Sequence, residues 1–145
     1  MLKIVSAASA LVFLIAFNAC KKSDNNNNSS AKTVANLSGT YGITSITANV
    51  FGASVNLYDS LPACDQDNLI QLDTNLTAHF IDANIVCVPP SDSTGTWSLS
   101  SGADTIYVAG GASYIKSFDG KTLVLTNQEN ISGFPVTATT TLSKK

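Results

Sequence analysis

From residue 36 to the C-terminus the chain never sustains a 3.6-residue apolar period; it runs in short alternating segments separated by Gly, Asn, Asp and Ser. Alternation sends successive side chains to opposite faces, as in a strand with one buried and one solvated side. Thr96, Trp97, Ser98, Leu99 and Ser100 show it cleanly, with Trp97 and Leu99 on one face and hydroxyls on the other. Residues 134–142 repeat it with a threonine-rich outer face, which suits a strand. Similar segments cover 40–48, 50–58, 68–72, 76–81, 105–109, 112–118 and 122–127. Asp73-Thr74-Asn75, Gly110-Gly111 and Asp119-Gly120 fall between segments, and glycine accepts the positive φ of a tight hairpin without a Cβ clash. The predicted fold is all-β, an antiparallel meander of about eight strands joined by short connections. An open meander leaves two unpaired edges, and curling the sheet onto itself removes them. A small up-and-down barrel is therefore expected rather than a sandwich.

The first 35 residues have a different texture. After Lys3 comes an apolar run, residues 4–17, shorter than the roughly 20 residues a spanning helix needs but suited to a signal peptide. Cys20 closes that run, and Lys21 opens a polar stretch of Asn, Ser, Lys and Asp. The junction resembles a bacterial lipoprotein signal, with Phe17 and Asn18 where Leu and a small residue are usual. The resemblance implies a signal peptide over 1–19, a lipid on Cys20, and a protein held by that lipid to the outer membrane of a bacterial envelope, facing the periplasm or the cell surface. Ordinary secretion and a retained membrane helix are the alternative readings. Residues 20–35, too poor in apolar side chains to offset their ordering entropy, read as a disordered tether with a reach of roughly 20–25 Å. The domain itself is expected over 36–145.

Three cysteines are an odd number for an exported chain. With Cys20 consumed by lipid, Cys64 and Cys87 remain as an even pair, and an oxidising envelope is where a bridge between them persists. Charge narrows the partners. Residues 36–145 carry four lysines and no arginine against nine acidic residues, a net charge of −5. Nucleic-acid binding, which needs cations to displace phosphate counterions, is excluded.

Within the domain, Leu37-Ser38-Gly39-Thr40-Tyr41 followed by Ile43 and Ile46 resembles the first strand of lipocalin-like domains, Tyr41 standing where that family has Trp. A second unit, Gly95-Thr96-Trp97-Ser98-Leu99, resembles the mid-domain strand of the short lipocalin-like bacterial lipoproteins. Those proteins also place a Cys before an acidic stretch and another before the Gly-Thr-Trp strand; Cys64-Asp65-Gln66-Asp67, then Ile70, Leu72 and Phe80, then Cys87 follow that order. The resemblance implies a barrel whose mouth, lined by Tyr41, Phe80, Trp97 and Phe134, holds a small apolar ligand. The alternative is a side-chain-filled barrel without a ligand, acting as a structural module that meets an envelope protein or a glycan through its surface. Tyr58, Tyr107 and Tyr114 are the aromatic contacts expected there.

Chemistry is sparse. His79 is the only histidine, and it falls opposite Phe80 in the alternation, hence outward. A zinc site would need the dispersed Cys64, Cys87 and His79 to converge without a closely spaced pair. Asp65, Asp67 and Asn68 begin a calcium-like series that no spaced Glu completes. No catalytic residues, metal or cofactor are assigned. Asp59-Ser60-Leu61, Asp92-Ser93-Thr94 and Asp104-Thr105-Ile106 resemble O-glycosylation acceptors of some Gram-negative envelopes.

Overall fold

The computed structural model describes residues 30–131 and 134–145. The expected signal peptide, Cys20 and the tether as far as residue 29 lie outside the described residues. A four-residue helix α1 (Val34–Leu37) precedes the strands β1 (Gly39–Val50), β2 (Ala53–Asn56), β3 (Leu69–Leu72), β4 (Thr77–Ile81), β5 (Ser93–Leu99), β6 (Thr105–Val108), β7 (Gly111–Phe118), β8 (Thr122–Ile131) and β9 (Phe134–Lys144). A 3₁₀ turn (Tyr58–Ser60) and a second short helix, α2 (Ala63–Gln66), occupy the β2–β3 connection.

All pairings are antiparallel between neighbours, and β1 pairs with β9 from Tyr41↔Lys144 to Val50↔Val136. That pairing closes the ring β1-β3-β4-β5-β6-β7-β8-β9, so the expected up-and-down barrel forms. The ninth strand, β2, lies outside the ring. One edge of β1 takes β3 along Gly39–Gly42 and β2 along Thr47–Val50, and β1 shifts register against β9 between Ile43 and Ser45. A bulge of this kind bends a strand. Beyond it β1, β2, β9 and β8 run on as a flap, since β7 stops pairing with β8 at Tyr114↔Thr126 while β8 follows β9 to Ile131↔Phe134.

Two hairpin turns have two-residue loops with consecutive positive φ: Phe51 (51°) with Gly52 (82°), and Ala109 (49°) with Gly110 (83°). Such turns match the twist of the flanking strands. The second corrects the expectation of a Gly110-Gly111 turn: Gly111 already pairs with Val108, because the ladder register places the loop one residue earlier. The first shortens the expected 50–58 strand to Ala53–Asn56. In the third turn, Asp119 accepts hydrogen bonds from the amides of Lys121 (2.8 Å) and Thr122 (2.6 Å), and these donors hold its carboxyl below the usual carboxylate range.

The core is set by alternation. Leu72, Ala78, Trp97, Ile106, Ile115, Phe118, Leu123 and Leu142 point inward and join Tyr41 and Leu37 in one buried cluster. Leu37 comes from α1, which crosses the barrel's lower end. Thr33 caps that helix, its hydroxyl accepting from the Asn36 amide at 3.2 Å. Ser30 donates its amide to the Phe118 carbonyl at 2.8 Å, and Lys32 Nζ donates to the Ile115 carbonyl at 3.0 Å. The domain thus begins by residue 30, not residue 36. Residues 30–35 therefore do not belong to the expected tether; their anchoring partners lie some eighty positions away in β7, beyond any local sequence pattern.

Candidate functional site: an apolar barrel interior below two stapled loops

The barrel has unlike ends. At the lower end, where α1 and the turns near residues 73–75, 100–104 and 119–121 gather, large side chains fill the interior. Tyr41 is fully buried and its hydroxyl donates to the Leu37 carbonyl at 2.7 Å; burial pushes its pKa up to about 12. Trp97, 2% exposed, donates Nε1–H to the Asp73 carbonyl at 2.8 Å. The Lys144 ammonium sits 5.6 Å from the Tyr41 ring centroid and 5.7 Å from that of Phe118, and it also donates to the Asn36 carbonyl at 2.6 Å.

The upper half is not filled. A cavity of about 220 Å³ lies among Ile70, Leu72, Phe80, Ile106, Leu123 and Leu125, with Ser113, Asn127 and Thr140 as its polar groups. A second hollow of about 400 Å³ at the mouth is lined by Ile43, Leu61, Leu69, Ile81, Asp65, Asn68, Ser91 and Ser93, and shares Ile70 and Phe80 with the first. The interior space alone is smaller than the roughly 300–1,000 Å³ of ordinary ligand sites, whereas the mouth hollow falls inside that range. Together they offer an apolar slot for a small molecule.

Two connections frame the mouth, residues 57–68 and 82–92, and a disulfide joins them. Cys64 and Cys87 are bridged, with Cα atoms 5.2 Å apart. The bridge consumes both thiols, so the grouping of Cys64, Asp65 and Cys87 is no metal site. Asp82 organises the second loop. Its carboxylate accepts the Cys87 amide at 3.0 Å and the Ser91 amide at 2.9 Å, while its own amide donates to Asp92 at 2.9 Å. Between the loops, Asp67 Oδ2 accepts the Ile85 amide at 2.9 Å, and Asn68 Nδ2 reaches Ser91 Oγ at 3.4 Å. Asp67 Oδ1 and Asn68 Oδ1 are buried without a partner. Asp67 and Asn68, from the incomplete calcium-like series, thus hold the loops together.

The four aromatics expected to line one site divide three ways. Phe80 lines both hollows. Tyr41 and Trp97 are buried core whose polar tips are spent on backbone carbonyls, so they close the floor rather than face a ligand. Phe134 shares the inward parity of Val136 and Leu142, but the 11-residue β9 carries it past the rim. There it is 50% exposed and packs edge-on against Phe51, centroids 5.0 Å apart. Alternation gives the face a residue points to but not its height along the barrel, and height decides this case. The residues that do line the space include Ile70, Leu72, Ile106, Leu123 and Leu125, aliphatics that carry no sequence signal beyond their alternation.

His79 lies on the outer wall as its alternation requires. Its ring nitrogens face Asp73 Oδ2 at 3.2 Å and Thr94 Oγ1 at 3.3 Å, in mid-ladder opposite Thr94, and it lines neither hollow. Tyr107 and Tyr114 are exposed on the outside, whereas Tyr58 is half-buried and donates to the Gln66 carbonyl at 2.8 Å.

A family model described as a lipocalin-like domain matches residues 37–125, from the last residue of α1 to the middle of β8. The match therefore stops short of β9, the strand whose pairing with β1 closes the ring. No curated protein matches the chain.

Proposed function

We propose, from the premise that this chain belongs to the lipocalin-like domain family, that it is a lipid-anchored envelope protein which binds a small apolar molecule in the upper half of its barrel. The observation that carries the binding reading is the asymmetry of the interior. Aromatic rings fill the floor, while small and aliphatic side chains leave about 220 Å³ above it, opening toward a mouth fixed by a covalent staple. An eight-stranded ring is just wide enough for side chains to fill, so the choice of aliphatics in the upper half is what leaves room. Larger binders of this architecture work the same way, and fold alone does not prove function.

For the anchor, support comes from the sequence junction at Cys20 and from the spending of the other two cysteines on each other. The chain reaches the barrel at its closed end, where Ser30 meets Phe118. A lipid at Cys20 would then hold the floor toward the membrane and leave the mouth free. Stable attachment needs two or more acyl chains, one being marginal. Cys20→Ala followed by membrane fractionation tests this; a variant that stays as membrane-bound as the parent removes the anchor reading.

Binding is tested with the full chain and an apolar fluorescent probe such as N-phenyl-1-naphthylamine. Val108→Phe, which adds ring volume to the cavity wall, is expected to weaken the probe by about tenfold or more, the worth of one or two buried methylenes. Unchanged affinity in a folded variant refutes binding in this cavity. A second reading, a module that meets an envelope protein or glycan through its surface, draws on the Phe51–Phe134 pair at the flap tip, where Phe51 is 78% exposed.

A further inference from the structure

We infer that the cavity selects its ligand by charge, taking a short-chain apolar amine, tail inward and ammonium at the mouth, and rejecting the fatty acid of equal length. The inference rests on the binding reading above and adds the chemical class of the guest. The aliphatic interior accepts a tail; at the roughly 30 Å³ a water occupies in the liquid, its volume holds about seven carbon-sized groups. The head would then sit among Asp65, Asn68, Ser91 and Ser93 at the rim.

That rim is acidic, and no cation among the described residues lines the mouth hollow itself. The two mouth loops contain Asp59, Asp65, Asp67, Asp82 and Asp92 and no lysine or arginine. Glu129 adds a sixth carboxylate on β8 in the flap, opposite Val136 and so on the face that continues the barrel's inside. The described lysines stay out of the mouth hollow. Lys32 and Lys144 are bound to carbonyls at the floor, Lys121 is in the floor turn and Lys116 near the foot of β7, while Lys145 lies on the outer face of β1 over Gly42 and shares a separate outer hollow with Asp67, Gln66 and Asn84. Among the described residues the one ion pair is His79–Asp73, on the outer wall.

Each carboxylate of the two mouth loops accepts from a neutral donor: Asp82 from the Cys87 and Ser91 amides, Asp92 from the Asp82 amide, Asp67 from the Ile85 amide, Asp59 from the Asn56 side chain, Asp65 from that of Asn68. Such bonds leave the negative charge in place, and apolar walls focus its field into the opening. Of the described side chains lining the mouth hollow, Asn68 has a buried Oδ1 without a partner, likewise an acceptor. An incoming donor is complemented there, and an incoming carboxylate is not.

The test displaces the apolar probe from the full-length protein with three molecules of one chain length: octylammonium, 1-octanol and octanoate. The expected order is octylammonium tightest, by about tenfold over octanol in dilute buffer, with octanoate weakest and the spread narrowing as salt is added. Asp65→Asn, which keeps the side chain's shape, is expected to weaken octylammonium several-fold and leave octanol unchanged; Glu129→Gln provides the same readout from an exposed position where folding is not at stake. Equal displacement by all three, or octanoate ahead of octylammonium, overturns charge selectivity while leaving the cavity reading intact. Displacement by none of them, with the probe still bound, overturns both.

Discussion

Replacing Cys64 and Cys87 together by alanine removes a cross-link that spans 23 positions of the chain. In the loop-entropy model a closed loop of that size restricts the unfolded chain by about 3.4 kcal/mol at room temperature. The folded side changes little by comparison, because the same two loops remain joined through Asp67 and Ile85, through Asn68 and Ser91, and by the amides gathered on Asp82. The loss should therefore appear as a lower urea midpoint with a larger m-value, since an uncross-linked chain exposes more surface when it unfolds. For a domain of this size about 3 kcal/mol corresponds to a fall in Tm of roughly 10–20 °C. Urea titration of the parent, the parent with reductant and the double variant measures this, and the last two should coincide. An unfolding free energy within about 1 kcal/mol of the parent's refutes the reasoning. Probe affinity, measured below the transition, separates the two ways a staple can act. Retained affinity means that the bridge works on the unfolded chain, and a large loss means that it holds the mouth in shape.

Alkali is expected to weaken the domain through Tyr41. Its folded pKa of about 12 lies above its ordinary value of 10.0, so the folded state keeps the proton longer. The contribution is complete below pH 10 and is lost as pH rises toward 12, worth about 2 kcal/mol; Tyr41→Phe should abolish that slope in urea titrations and lower neutral-pH stability by about 1 kcal/mol for the hydroxyl bond to Leu37. The glycine of the second Gly-Thr-aromatic unit answers to space. A Cβ on Gly95 would lie 3.2 Å from that of Ala109, so Gly95→Val should cost about 1–3 kcal/mol by lifting the β6–β7 turn, while Gly95→Val combined with Ala109→Gly recovers part of the loss; equal instability of the two variants would sink the account.

The two Gly-Thr-aromatic units look alike in sequence and do unlike work. Gly39 has φ of +145°, a conformation other residues rarely adopt, whereas Gly95 is held to its size by the neighbouring hairpin. Neither reason can be read from the dipeptide. Tyr41 and Trp97 share a subtler likeness: both anchor the floor by donating to a backbone carbonyl, of Leu37 and of Asp73. The local pattern marked them as inward aromatics, and only the helix crossing the lower end and the 73–75 turn supply their acceptors.

By itself the sequence determined what depends on neighbours along the chain. Period-two alternation and glycine-bearing turns specify all-β structure, the strand locations within a few residues and which side chains point inward. The tight turns specify antiparallel order for the strands they join, though the 57–68 and 82–92 connections proved long, and the composition of the mouth loops specifies the sign of their charge. Tertiary structure decided what depends on distant pairings. It closed the ring through β1 and β9, a contact that spans most of the domain. It drew residues 30–35 out of the expected tether by bonding them to β7, and it set the height of each inward residue, so that Phe80 faces the cavity while Phe134 overshoots it. The physical reason is that alternation fixes a side chain's face, whereas its height and partners follow from register, and register is a property of two strands together.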